Sequence, residues 1–338
     1  MVDRTLRIGP LCVSPGILLA PMEDVTELPF RLLCRRLGAD IVYTEFVSAE
    51  GLVRAAPGAA GRILRKVEIC AAERPVGVQL YGASGASMER ATDLAMQQDP
   101  DLLDVNCGCW VTNVALRGAG AGLLLDLGAM RQVVARVVRS AYVPVTVKTR
   151  LGWDAGSIRI VEVARMLEDL GVQALTIHCR TRAQGYAGEA DHSWIPVVKA
   201  AVSIPVILNG DVTTAQQVRQ AFAATGCDGV MIGRGAIKHP WVFREARQLL
   251  LCGVELPPPT LGERVDLCLE HLRLATEHGG PHHALISLRR HYSGYFRGVR
   301  RGAHLRAALA GIGDVGVLRE RLLELRDAPQ AADAPAVA

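Results

Sequence analysis

Eight short apolar runs, rich in β-branched residues, alternate with longer amphipathic stretches along the first two thirds of the chain. They are Gly16–Met22, Asp40–Phe46, Pro75–Tyr81, Leu102–Asn106, Pro144–Arg150, Ala174–His178, Pro205–Asn209 and Gly229–Gly233. Strands interleaved with helices imply βαβ units and a parallel sheet. Eight such units in about 230 residues match the strand count and size of a closed (β/α)8 barrel. A doubly wound open sheet is the rival arrangement.

Most of the runs end in polar or glycine-containing segments: Ala-Pro-Met-Glu, Thr-Glu, Gln-Leu-Tyr-Gly, Asn-Cys-Gly-Cys, Lys-Thr-Arg, His-Cys-Arg-Thr, Asn-Gly-Asp and Gly-Arg-Gly. In a barrel, chemistry gathers at the C-terminal ends of the strands, so these dispersed residues are expected to converge on one mouth. Helices are expected over Thr213–Ala224, capped by Asp211 and closed near Gly226, and over Ile158–Leu170, ending at Gly171. Pro257-Pro258-Pro259 makes a stiff break, after which the β pattern stops and Leu, Ala and Arg dominate. The expected organisation is therefore a catalytic barrel over 1–255, an all-α helical domain over 256–328 and a frayed tail over 329–338.

Half of the residues are hydrophobic and 21% are charged, which excludes global disorder. No apolar signal segment opens the chain and no run is long enough to span a bilayer, so a cytoplasmic protein with no membrane partner is expected. The nine cysteines are scattered and include no Cys-x-x-Cys pair. Reduced thiols and no metal site are the expectation. A monomer is expected too.

Individual residues suggest a ligand. Asn209-Gly210-Asp211 and Gly233-Arg234-Gly235 follow strands seven and eight, where barrels commonly hold a phosphate. Only four of the 38 Lys and Arg residues are lysine. One of them, Lys148, lies within an apolar run. Strand alternation puts it on one face with Thr146 and Arg150, opposite Val145, Val147 and Thr149. It is expected inside the barrel, where a cation needs a ligand or a partner; it could meet a reduced flavin, form a Schiff base or pair with Glu45. His178 ends strand six close to Arg180 and Arg182, and Gln79 ends strand three, where its amide could meet a heterocycle edge or satisfy backbone. Cys109 follows strand four. If Asn106 faces the mouth, Cys107 turns into the core, and Gly108 lets the chain bend so that Cys109 returns.

The ordered set Leu19-Ala-Pro-Met-Glu-Asp, Val78-Gln-Leu-Tyr-Gly, Asp104-Val-Asn-Cys-Gly-Cys, Val147-Lys-Thr-Arg-Leu-Gly-Trp, Ile177-His-Cys-Arg-Thr, Ile207-Leu-Asn-Gly-Asp and Met231-Ile-Gly-Arg-Gly resembles the bacterial tRNA-dihydrouridine synthases. The likeness extends from about Ile17 to Leu250 and, more weakly, through Arg289-Arg-His-Tyr-Ser-Gly-Tyr-Phe. It implies FMN at the barrel mouth. Ala20, Pro21 and Met22 would contact it through backbone, Gln79 and Lys148 would hold the isoalloxazine, and His178, Asn209, Gly210, Asp211, Gly233 and Arg234 would surround the ribityl phosphate. It further implies NADPH (or NADH) as transient reductant, Cys109 as proton donor to uracil C5, and Asn106, Arg180 and Tyr186 around a uracil extruded from tRNA. One departure stands out. The family usually has proline after the cysteine and a lysine three residues later, whereas this chain has Trp110 and Asn113.

The stretch between Glu277 and Asp314 contains no carboxylate but holds Arg289, Arg290, Arg297, Arg300, Arg301 and Arg306, interleaved with Tyr292, Tyr295 and Phe296. Such a segment suits RNA, with arginines on phosphates and aromatics either stacking on bases or packing locally; the plain reading is a solvated basic face. Competing functions are an FMN barrel oxidoreductase acting on a free small molecule of the dihydroorotate type, a tRNA-binding homologue impaired in catalysis, and a Schiff-base aldolase using Lys148.

Overall fold

A computed structural model describes residues 5–55 and 60–327. The expected tail over 329–338 lies outside the described residues. Eight parallel strands form the central sheet: β1 (Ile17–Leu19), β2 (Val42–Ser48), β3 (Val76–Tyr81), β4 (Leu102–Cys107), β5 (Val145–Arg150), β6 (Ala174–His178), β7 (Val206–Asn209) and β8 (Gly229–Ile232). From β2 to β8 each strand pairs with the next in sequence, and β8 returns to pair with β1. The ring closes between β1 and β2 through the Leu18–Ile41 bridge, where Leu19 N–H donates to Ile41 O at 3.0 Å. Closure makes this a barrel and excludes the open doubly wound sheet. All eight expected strands are present, most of them a residue or more shorter at one end because the flanking prolines and glycines leave the ladder.

The outward side chains of the strands meet the surrounding helices. Val145 and Val147 of β5 lie in the large outer core with Val133, Val134, Val163 and Leu167, while Thr146, on the alternate face, bonds to Asp104 inside the barrel. The period-2 pattern thus sorts β5 as anticipated. The barrel's interior floor is apolar: Leu18, Ile41, Tyr43, Leu102, Ala174, Ile207 and Met231. An N-terminal hairpin, Leu6–Ile8 paired with Leu11–Val13, inserts Leu6 and Ile8 into this cluster and plugs the N-terminal end. Polar chemistry is thereby confined to the opposite end.

The helix after β7 runs over Ala215–Thr225 and ends at Gly226, whose φ of 62° suits glycine. It is capped by Thr214, which accepts from Gln217 N–H, and not by Asp211. Asp211 is drawn away by arginines of the mouth. The helix before Gly171 spans Ile160–Asp169.

Beyond the prolines, Thr260 and Glu263 form a capping box that starts the helix Leu261–Gly279. Helices Pro281–Leu288, Tyr292–Tyr295, Gly302–Gly311 and Val315–Asp327 follow. Their core comprises Val265, Leu272, Leu288, Leu309, Leu318 and Leu322 together with Tyr292, Tyr295, Phe296 and Trp241. The three segment aromatics are therefore packing residues, which removes them from the set that could stack on bases. The helices dock on the barrel through Phe30, whose ring lies 4.4 Å from that of His291, and through Arg290, which donates to Asp24 O at 3.0 Å beside the mouth.

Candidate active site at the barrel mouth

A cavity of about 710 Å³ opens at the C-terminal ends of the strands, within the roughly 300–1,000 Å³ range of small-molecule and cofactor sites. Ala20, Pro21, Met22, Gln79, Asn106, Cys109, Lys148, His178, Arg180, Tyr186, Asn209, Gly210, Asp211, Gly233 and Arg234 all line it. The residues come from seven of the eight strand ends and would be unrelated without barrel closure. Arg289 and Arg290 are not part of the cavity; both are exposed on the helical side.

Below the cavity lies a directional hydrogen-bond chain. Asp104 accepts from Thr146 Oγ1 at 2.5 Å and from Gln79 Nε2 at 2.6 Å. A carboxylate only accepts, so the Gln79 amide must turn its nitrogen down and its oxygen toward Asn106. Gln79 Oε1 accepts from Asn106 Nδ2 at 2.9 Å, and Asn106 Oδ1 then accepts from Gly108 N–H at 3.0 Å and Cys109 N–H at 2.8 Å. Asp104 thus orients two amides and, through them, the turn carrying Cys109. Burial pushes Asp104 up to about 6, against the two hydrogen bonds and Lys148, which pull the other way.

Cys107 is fully buried in the outer core, and Cys109 reaches the cavity. Gly108 makes this possible by close approach: a Cβ there would lie 3.2–3.4 Å from the Thr149 backbone. Gly120 presses on the same turn, with φ +56° and room for no Cβ beside Cys109. Burial raises the Cys109 thiol above its ordinary value, although a hydrogen bond from the Val111 backbone lowers it. The thiol therefore keeps its proton at neutral pH.

Lys148 faces the same cavity. Glu45 does not pair with it; Glu45 sits 3.2 Å from Lys66 and accepts from Asp24 N–H at 2.6 Å. Among the described residues Lys148 makes no ion pair. Burial and the nearby Arg150 lower it to about 8, with Asp104 raising it in part. His178 is held well below its ordinary range by burial and by Arg150, Lys148, Arg180 and Arg234, so its ring is neutral.

Arg150, which sequence reasoning left without a role, fastens three segments of the mouth. It donates to Gly108 O at 2.9 Å, Thr181 O at 2.8 Å and Gly185 O at 3.0 Å. Its place on the inner face of β5 was the available signal. Arg180, 2% exposed, is engaged by Asp211 in a bidentate pair (2.9 and 2.6 Å) and by Ala187 O and Gly188 O. Asp211, at φ 53°, also meets Arg234 at 3.2 Å and Ala190 N–H at 2.9 Å. Burial alone would raise its carboxyl, but Arg180 and the Ala190 N–H hold it below the usual range. Arg234 stacks over the Tyr186 ring at 4.1 Å, and Trp110 meets Tyr186 edge-on at 5.4 Å. Lys148, Arg150, Arg180 and Arg234 face one carboxylate, Asp211, on this side of the mouth, so the site favours an anion.

The architecture is that of the TIM-barrel enzymes. Solved structures of similar fold include 6-hydroxypseudooxynicotine amine oxidase from Pseudomonas geniculata N1 (13% identity, TM-score 0.59, 81% of this chain and 52% of that one). Another is the old yellow enzyme homologue from Zymomonas mobilis (13% identity, TM-score 0.52, 77% and 94%).

Residues 18–332 match the family model described as dihydrouridine synthase, and the chain belongs to that family. Similar proteins include "Probable tRNA-dihydrouridine synthase 1" of Synechocystis, 38% identical over 92% of this chain and 86% of its own length. The "tRNA-dihydrouridine synthase B" of Xanthomonas campestris is 36% identical over 90% of each chain, and that of Pseudomonas aeruginosa 39% over 79% of each.

Proposed function

We propose that this chain reduces uridine to 5,6-dihydrouridine in tRNA, with FMN bound in the barrel mouth and NADPH (or NADH) as the reductant. The observation that carries the reading is the half-buried Lys148 ammonium, which makes no ion pair among the described residues, in the same cavity as a protonated Cys109 thiol. The first needs a ligand that gains negative charge on reduction; the second is a proton donor.

The residues fit a flavin mononucleotide. Ala20, Pro21 and Met22 offer an apolar wall and backbone. Gln79 keeps an amide edge at the cavity, and Lys148 supplies positive charge at the ring. Gly233, with no Cβ, precedes the short helix Arg234–Lys238, whose first N–H groups have no intrahelical acceptor. Together with Gly210, neutral His178, Asn209 and Arg234 it makes a cradle for a phosphate. Asp211 serves that cradle by holding Arg180 and Arg234 in place.

A reduced flavin held by these residues would supply the hydride that uracil C6 takes up. Cys109 Sγ–H delivers a proton to C5, so the C5=C6 bond is saturated, and the thiolate regains a proton from water. The nicotinamide reductant would supply the two electrons. Asn106 orients the base while it holds the Cys109 turn, and Arg150 keeps that turn against the β6 loop. The uracil must leave its stack to reach these groups. Arg289 and Arg290, exposed on the adjoining helices, would meet phosphates of the RNA body.

The test is direct. The purified protein is expected to be yellow and to release FMN, not FAD, on denaturation. With NADPH it is expected to form dihydrouridine on unmodified tRNA. A colourless protein that FMN does not reconstitute overturns the cofactor; a flavoprotein that reduces no uridine in any tRNA overturns the reaction.

A further inference from the structure

The chain is poor in aromatic residues, yet it exposes one beside the Cys109 turn. Trp110 is 38% exposed and lines the edge of the cavity. A contiguous apolar patch rimmed by polar residues marks a contact surface, whereas a single exposed apolar side chain does not. The orientation of Trp110 is set by the fold. The indole packs on Gly185, where an added Cβ would lie 3.1 Å from the ring, and Gly185 has φ +55°. Its edge meets Tyr186, which is itself held by the Arg234 guanidinium. Val111 and Leu116, both exposed, extend the apolar surface outward. Beside it, Arg182 lies 4.5 Å over the Trp153 ring and donates to Thr112 Oγ1 at 3.3 Å.

An aromatic face bordered by arginines matches the chemistry of an unpaired nucleotide: a π surface for the base and cations for the flanking phosphate. A uridine inserted into the mouth drags its chain neighbour to the rim, and that neighbour has lost a stacking partner. We infer that Trp110 stacks on an unpaired nucleobase adjacent to the uridine that enters the cavity, with Tyr186 bracing it and Arg182 beside the backbone. The inference rests on the tRNA reading above and adds to it a subsite outside the cavity. Trp110 acts here in RNA binding and does not touch the reacting atoms.

Three variants separate stacking from volume. Trp110→Phe keeps a π face, Trp110→Leu fills space without one, and Trp110→Ala removes both. Kd for unmodified tRNA is measured on the flavin-loaded proteins, whose flavin absorption verifies that the mouth is folded. Ala and Leu are expected to weaken binding by roughly 5- to 100-fold, as for an aromatic that stacks one base, and Phe by no more than about 3-fold. Addition of tRNA is also expected to quench indole emission in the native protein, a quench lost in Trp110→Phe while the other three tryptophans remain. If Trp110→Leu binds tRNA as the native protein does, or the quench persists in Trp110→Phe, the stacking role is wrong. Faster flavin reoxidation by oxygen in Trp110→Ala at unchanged Kd would make Trp110 a water-excluding rim and overturn the inference as well. A native protein with no affinity for tRNA overturns the substrate reading itself, an outcome distinct from all of these.

Discussion

Asn106 Oδ1 accepts the backbone N–H of Cys109 at 2.8 Å, so the residue proposed to orient the uracil also holds the turn that carries the proposed proton donor. The same oxygen takes Gly108 N–H, and the Asn106 amide nitrogen is committed to Gln79. Truncating Asn106 to alanine orphans two backbone donors, one of them buried, each loss costing about 1–3 kcal/mol. Asn106→Ala is expected to lower kcat for tRNA by about 10²-fold with the flavin retained. Single-turnover oxidation of the reduced protein by tRNA checks it; an unchanged rate would separate the turn from Asn106.

Cys109 and Cys107 should respond oppositely. Cys109→Ala is expected to bind flavin and be reduced by NADPH normally, yet to lose roughly 10²–10⁴-fold in oxidation by tRNA, the contribution of a general acid. Cys107, fully buried among outer-core side chains, is expected to cost about 1 kcal/mol of stability on truncation and little rate. Stopped-flow kinetics and thermal melts of the two variants distinguish these outcomes, and a Cys109→Ala enzyme as fast as the native one would remove the thiol from the chemistry.

Lys148 is expected to make flavin affinity depend on pH. Burial and Arg150 lower it to about 8, so the folded apo-protein loses this proton before the unfolded chain does. Between about 8 and the ordinary lysine value near 10.5 the unfolded state binds more protons, and this group's contribution to stability rises with pH. Ligand binding should run the other way, because the cation proposed to attract the anionic reduced flavin disappears above about 8. Anaerobic titrations of apo-protein with reduced FMN from pH 6.5 to 9.5 (about 0.5-unit steps) are expected to show affinity falling through that region. The fall should be absent in Lys148→Met. A parallel decline in both proteins would assign it to another group.

Asp104 has the opposite sign. Its carboxyl is raised by burial to about 6, so its contribution to stability is fully present below its unfolded value near 3.8 and is lost as pH rises through about 6. Asp104→Asn, which can donate where the carboxylate only accepts, is expected to remove this slope in urea-unfolding measurements between pH 4 and 7. It is also expected to reduce kcat for tRNA more than Kd for FMN, because the misdirected amides disturb the Cys109 turn. Retention of the native kcat would show that amide orientation is set elsewhere.

Phosphate recognition can be isolated with a ligand lacking the phosphate. Arg234→Ala is expected to weaken FMN binding by about 1.5 kcal/mol, the lower end for a charge-assisted contact on a half-exposed side chain, and to leave riboflavin affinity unchanged. Equal losses for both ligands would place Arg234 at the ring instead. On the helical side, replacing Arg289, Arg290 and Arg297 together by alanine should weaken tRNA binding and flatten its log–log salt dependence by roughly 0.7–0.9 per lost phosphate contact. The flavin spectrum should not change, and an unaltered slope would mark the segment as an ordinary solvated face.

Barrel strands, their order and the end that carries chemistry are local properties of this sequence. Alternation along Val145–Arg150 separates inner from outer residues before any contact is known, and polar endings on successive strands point to one mouth. Residues that act through distant partners were not legible in the same way. The N-terminal hairpin has three-residue strands whose meaning lies in a barrel floor assembled from six other strands. Asp211 reads as a helix cap until arginines from the ends of β6 and β8 draw it off, and Tyr292, Tyr295 and Phe296 read as possible stacking surfaces until the helices bury them. Sequence by itself determined which side chains could reach the mouth, because strand period is set by the covalent backbone. Only the closed barrel decided which of them touch, since Lys148 without Glu45, Asp104 beneath Gln79 and Asn106 beneath Cys109 depend on the register between strands far apart in the chain.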